Sequence, residues 1–176
     1  YHSIDISGNQ HHIDDGYGGV SIISKKDNVT IGPNSYAGWS ATQVIASGDG
    51  GYEVLWSHTG GKHDVWKVNS EGNFSSYVKA KLWEAEEKFG VDLNGDKVKG
   101  LGTVDDQIGN VHLKYGDNTY NGAPQYYIDN GITNGIIGDS IKDPIGLTKA
   151  GATKGSNSYA GWSATQVIAS GDGGYE

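Results

Sequence analysis

The stretch "FGVDLNGDKVKG", residues 89–100, sets oxygen-bearing side chains at every second position: Asp92, Asn94 and Asp96. A hard cation such as Ca2+ gathers about six to eight oxygens, and alternating carboxylate and amide groups on a tight loop deliver several together. Counted from Asp92, the three fall at positions one, three and five of an EF-hand-like loop, and Val98 at position seven offers its backbone carbonyl. The pattern departs from that motif at Lys97, where it has glycine, and at Thr103, where it has a bidentate glutamate. Asp105 and Asp106 supply the missing carboxylate if the loop is longer. The favoured expectation is a Ca2+ site drawn from Asp92, Asn94, Asp96, Val98, Asp105 and Asp106; the competing one is an Asx-rich turn that ends a helix without metal.

No other set of residues reads as chemistry. His11 and His12 stand beside Asp14 and Asp15, but neighbours on a strand face opposite ways, and a later echo of the segment carries Tyr126 and Tyr127 in their place. His58 and His63 flank a turn and invite a metal reading, which is set aside with that of the other histidines. Nucleophile-elbow, phosphate-loop and dinucleotide fingerprints are missing, and no two carboxylates sit in surroundings that would separate an acid from a base. The expectation is a protein that is not an enzyme.

The loop must be positioned by its neighbours. Residues 41–47 ("ATQVIAS"), 52–57 ("YEVLWS") and 65–69 ("VWKVN") alternate as strands joined by the glycine-rich connections "GDGG" and "HTGGKHD". Tyr52, Val54 and Trp56 share one face, as do Trp66 and Val68. Ser75 or Ser76 is placed to cap a helix over residues 75–89, with Val78, Leu82, Ala85 and Phe89 as its buried stripe and Lys79, Lys81, Glu84, Glu86 and Glu87 toward water. Residues 111–115 ("VHLKY") read as a further strand. The expected fold class is α+β: a small antiparallel β-meander, one packed helix, a calcium-like loop over residues 92–106, and then a partial second repeat.

That second repeat is visible directly. "NSYAGWSATQVIASGDGGYE" occupies residues 34–53 and recurs letter for letter at residues 157–176, and "NQHHIDDG" at residues 9–16 is echoed by "PQYYIDNG" at residues 124–131. Periods of this length indicate tandem domains rather than short stacked units. The division expected is a first repeat over residues 1–115 and a partial one over residues 116–176, read as a piece of a longer array. In the second copy the strand expected at residues 164–170 lacks the hairpin partner that follows the first, which makes Ala164, Gln166, Val167, Ile168 and Ser170 an interface for a neighbouring copy by strand addition. Repeated head to tail, that contact gives a filament.

Composition narrows the partners. The 176 residues include 29 Gly, 11 Tyr and 5 Trp but only 2 Phe, with no Cys and no Met, and the formal net charge is −8 with no basic stripe. Nucleic acid and membrane insertion are therefore excluded as expectations, and disulfides are impossible. With so little Leu and Phe, Trp39, Trp56, Trp66 and Trp83 are expected in the core before any surface platform.

"GGYEVLW" (residues 50–56), "VWKVNSEGNF" (residues 65–74) and "EEKFGVDLNGD" (residues 86–96) together resemble the tryptophan-rich repeat domain of large secreted bacterial proteins, of the kind found in cyanobacteria beside calcium-binding repeats. The resemblance implies an extracellular or cell-surface module without catalysis, in which Asp92, Asn94 and Asp96 match the acidic loop. The expected function is a calcium-stabilised structural or adhesive tandem module that assembles with copies of itself. The alternative is an extracellular module that binds surface glycans through exposed Trp and Tyr.

Overall fold

The computed structural model describes residues 2–22, 29–103, 112–117, 125–129, 145–155, 158–160, 162–167, 170 and 175. The chain divides into two compact units. The first comprises residues 1–80 and 88–94, the second residues 81–87 and 95–176.

In the first unit β1 (Ser3–Ser7), β2 (Gln10–Asp14) and β3 (Val20–Ser21) form a three-stranded antiparallel sheet in that order. A four-stranded meander follows: β4 (Trp39–Ala46), β5 (Tyr52–His58), β6 (His63–Val68) and β7 (Phe74–Tyr77). The inward faces of both sheets contribute to one core, with Ile13, Ala41, Val44, Tyr52, Val54, Trp56, Trp66 and Val68 buried against Ile22 and Ile31. The faces assigned from alternation, Tyr52, Val54 and Trp56 on one strand and Trp66 and Val68 on the next, are the ones that line it. β5 is central and buried on both faces, and on its outer side Lys88 Nζ meets the Glu53 carboxylate at 2.6 and 2.7 Å. A bulge between Ala41 and Gln43 shifts the β4–β5 register, and Thr42 Oγ1 donates to the Leu55 carbonyl there at 3.2 Å.

The single helix among the described residues, α1 (Leu82–Phe89), is shorter than the expected 75–89. Ser75 and Ser76 cap nothing; they belong to β7, where Ser76 faces Lys67 and Tyr77 faces Trp66 across the ladder. The helix starts later because Glu84, in its first turn, accepts the Lys81 N–H at 2.6 Å and so satisfies a backbone donor that would otherwise be orphaned. Leu82, Ala85 and Phe89 are buried as the stripe required, but so is Glu86, expected toward water, whose carboxylate accepts the Gly100 N–H at 3.2 Å.

The fold is therefore not α+β. Among the described residues 44% lie in strands and 6% in the helix, and the architecture is β-rich and antiparallel.

In the second unit β8 (Gly102–Thr103), β9 (His112–Gly116), β10 (Gln125–Asp129) and β11 (Ile145–Gly146) make a four-stranded sheet, and β12 (Thr148–Lys149) pairs with β13 (Ala152–Thr153) as a hairpin. The boundary expected between residues 115 and 116 falls inside β9. Strand for strand, β9–β10–β11 repeats β1–β2–β3. Ile4 pairs with Ile13 as Leu113 pairs with Ile128, Ser7 with Gln10 as Gly116 with Gln125, and His12 with Ser21 as Tyr127 with Gly146.

The loop backbone repeats as well. His11 N–H donates to the Ile31 carbonyl, Ile22 to His11 and Ile31 to Ile22; in the second unit Tyr126 donates to Lys154, Leu147 to Tyr126 and Lys154 to Leu147. Gly32 N–H reaches the Ser35 hydroxyl at 2.9 Å, and Gly155 reaches Ser158 at 2.8 Å.

Candidate functional site

The acidic loop was the first candidate in the sequence. Asp92 and Asn94 belong to the first unit, Asp96 and Val98 to the second. Asp96 Oδ1 accepts the Val98 N–H at 2.8 Å, an Asx turn. Gly95 and Lys97 both take left-handed backbone, with φ of 82° and 72°. Lys97 thus makes the sharp turn for which the motif uses glycine, and does so with a side chain that rarely adopts it. Among the described residues no three His, Asp or Glu side chains gather as a metal set. Asp105 and Asp106 lie outside the described residues.

One residue that the sequence reading set aside holds the start of this loop. His63, on β6, has Nε2 at 3.1 Å from the Leu93 carbonyl and Nδ1 at 3.2 Å from Ser57 Oγ. Nε2 therefore donates to Leu93 in the neutral ring. Burial lowers the His63 pKa, and the bond to Leu93 opposes that shift in part. The signal was a histidine at the start of a strand that sends Val65, Trp66 and Val68 into the core; nothing in the sequence gave its partner thirty positions away.

The aromatic residues divide between the two units in an instructive way. In the first unit Trp56 and Trp66 lie with ring centroids 4.6 Å apart, inclined at 39°. Tyr36 stands edge-on to both, at 6.2 and 5.8 Å, and Phe74 packs against Trp66 at 4.9 Å. In the second unit Trp83 is buried, with its indole N–H donating to Tyr127 Oη at 3.2 Å. As composition led us to expect, most tryptophan is core.

Of the residues expected at an interface, the structure describes Ala164, Gln166, Val167 and Ser170. Trp162–Val167 carry the sequence of β4 yet lie outside any strand. Val167 is buried with Leu113, Tyr126 and Ile128, and Ala164 packs against that cluster, so these two side chains do in the second unit what Val44 and Ala41 do in the first. Val167 is thus buried and Ala164 half-buried. Gln166 is exposed and Ser170 half-buried; Ile168 lies outside the described residues.

Beside this segment an open groove of about 450 Å3 is lined by Tyr126, Leu147, Lys149, Lys154, Tyr159 and Trp162, with smaller residues between. Trp162 is 77% exposed and Tyr159 47%. The first unit has a smaller, more polar recess at Asp49, Lys67 and Ser75, where the Lys67 ammonium, 2.7 Å from Asp49, and the Ser47 hydroxyl hold the Asp49 pKa down at about 2.

A family described as the tryptophan-rich Synechocystis species C-terminal domain has a model that matches residues 6–100. No curated protein and no solved structure matches the chain.

Proposed function

From the premise that the chain belongs to this tryptophan-rich domain family, we propose that it is a non-enzymatic structural and adhesive module of a secreted bacterial surface protein. The observation that carries the reading is the recurrence of one frame of strands and hydrogen bonds in both units, in the same register. A chain that repeats a small β module extends by adding cores, each stabilised mostly within itself. That suits a part whose role is to space and display rather than to close round a substrate. Burial of Trp56, Trp66 and Trp83 supports it too, because those rings are committed to the interior rather than to a ligand.

Within this proposal Ca2+ tightens the loop after α1. The left-handed turns at Gly95 and Lys97 and the Asx turn at Asp96 fit such a loop, and Asp92, Asn94, Asp96 and the Val98 carbonyl would hold the ion. Assembly would use residues 164–170 through backbone pairing. Their sequence forms a strand in the first unit and, over Trp162–Val167, none in the second, so a sheet edge of another copy meets a segment suited to pairing.

The test is light scattering across a concentration series, with calcium and with a chelator, together with thermal unfolding. Calcium-dependent growth beyond a monomer is expected. Asp92→Ala with Asp96→Ala should lower the midpoint in calcium and erase the difference that the chelator makes. A monomer under every condition would sink the assembly arm, and equal chelator sensitivity in parent and variant would sink the calcium arm.

A further inference from the structure

We infer that the groove formed by Tyr126, Tyr159, Trp162, Lys149 and Lys154 in the second unit is a binding site for an acidic polysaccharide, a chain of pyranose rings bearing carboxylate or sulfate groups. The inference depends neither on calcium nor on assembly.

It begins from a difference between two copies of the same words. Tyr36 and Tyr159 are equivalent, as are Trp39 and Trp162, and each pair makes the same local turn, with the Trp39 N–H on the Tyr36 carbonyl at 3.0 Å and the Trp162 N–H on Tyr159 at 3.1 Å. In the first unit these rings are spent on protein: Tyr36 packs edge-on to Trp56 and Trp66, and Trp39 packs against the His58 ring at 5.1 Å. In the second unit Trp162 turns most of its surface to solvent beside a groove whose volume falls in the range of ligand sites, about 300 to 1,000 Å3. An exposed indole beside an exposed phenol is the surface on which the C–H face of a pyranose stacks, while the ring hydroxyls reach Thr148 and Ser163 at the rim.

The charge comes from a substitution the fold does not need. Lys154 sits in the backbone position of Ile31, accepting from Tyr126 and donating to Leu147 as Ile31 accepts from His11 and donates to Ile22. In the first unit that position is a core residue, 2% exposed; in the second it carries an ammonium into the groove. Lys149 brings another from the β12–β13 hairpin. Both ammonium groups lie against the Tyr159 ring, at 5.7 and 5.4 Å from its centroid. Two like charges brought to one ring repel within the screening length at ordinary salt, about 10 Å, and an anion bound beside them relieves the repulsion. In a chain of net charge −8, paired lysines over an aromatic floor select an anionic ligand against the general field of the molecule. The floor itself is fixed, since Tyr126 is hydrogen-bonded through its backbone to both Leu147 and Lys154, at 2.9 Å each.

The experiment titrates the full chain with galacturonic acid oligomers and follows tryptophan fluorescence and calorimetric heat, with cello-oligosaccharides and polyaspartate as comparisons. Uronate oligomers are expected to bind, more weakly as salt rises, and the neutral oligomers at least about tenfold less well. Trp162→Ala is expected to weaken binding by about tenfold or more with an unchanged far-ultraviolet spectrum, because the ring is outside the core. Lys149→Gln with Lys154→Gln should weaken it and flatten the salt dependence. The inference is overturned if uronate oligomers do not bind, if neutral sugar binds equally, or if Trp162→Ala leaves binding unchanged. It also fails if polyaspartate binds as well, which would make the groove a site for acidic peptide, or if fluorescence shifts with protein concentration alone, which would make a second copy the occupant.

Discussion

His11 is the residue whose chemistry is most at odds with its surroundings. It is 0% exposed, and neither ring nitrogen has a hydrogen-bond partner among the described residues. Its ring stands edge-on to Trp56 at 5.5 Å, Ile6 pairs with it across β1, and its backbone is tied to Ile22 and Ile31. Burial lowers its pKa, and the neighbouring charge of His12 lowers it further. A histidine lowered in the folded state binds fewer protons there than in the unfolded chain, so the stability it permits is complete above the ordinary value of 6.5. That stability is lost as pH falls from there toward the folded value. His63, lowered by burial as well, acts in the same window. His11→Phe should therefore raise stability by about 1 kcal/mol near neutral pH, by removing two unsatisfied buried nitrogens, and reduce the acid slope by the share that His11 contributes. Urea melts between pH 5 and 8 check this, and an unchanged slope in the variant would show that His11 is not the group that titrates.

At the scale of elements, the tie between the two sheets of the first unit is a glycine. Gly72, in the turn between β6 and β7, has φ of 83°, and a Cβ there would run into the Ser21 carbonyl at the end of β3. Gly50, between β4 and β5, has a similar φ of 87° but open space around it. Gly50→Ala should thus cost only the left-handed conformation, about 1 kcal/mol. Gly72→Ala should cost about 2 to 3 kcal/mol, because the turn or β3 must also move. Denaturant midpoints of the two variants measure the difference; equal losses would mean that the approach to Ser21 is not tight.

The same elements show what the sequence disclosed. β4, β5 and β6 were legible because alternation and glycine turns are local signals, and Trp56, Trp66 and Val68 fell on the expected face. β7 was not. "FSSY" is too short to alternate convincingly, its serines look like caps, and only pairing with β6 makes it a strand. The three-strand frame shared by the two units was seen as a repeated phrase without a structure, since β3 and β11 are two residues long and exist through their partners. Of the candidate sites, the acidic spacing could be read directly. The groove could not, because Tyr159 and Trp162 are letter-for-letter copies of residues whose rings pack on other aromatic side chains in the first unit.

For the molecule as a whole, each of the two units is expected to unfold in a cooperative step of its own. Val167, 4% exposed, belongs to the core of the second unit alone. Val167→Asp places a carboxylate among Leu113, Tyr126 and Ile128 and should destabilise that unit by about 3 kcal/mol or more. Scanning calorimetry is expected to show one transition lowered and another unmoved. A single transition displaced as a whole would mean that the units melt as one.

The near-stacked pair in the first unit gives that experiment an internal reporter. Indoles whose centroids lie 4.6 Å apart at 39° do not absorb light independently. Their transition dipoles couple, and one absorption band divides into two lobes of opposite sign in circular dichroism. That couplet belongs to Trp56 and Trp66 together, so removing either ring abolishes it rather than halving it. The chain thus carries its own dye-free optical label for one module, readable in a dilute solution or within a longer protein.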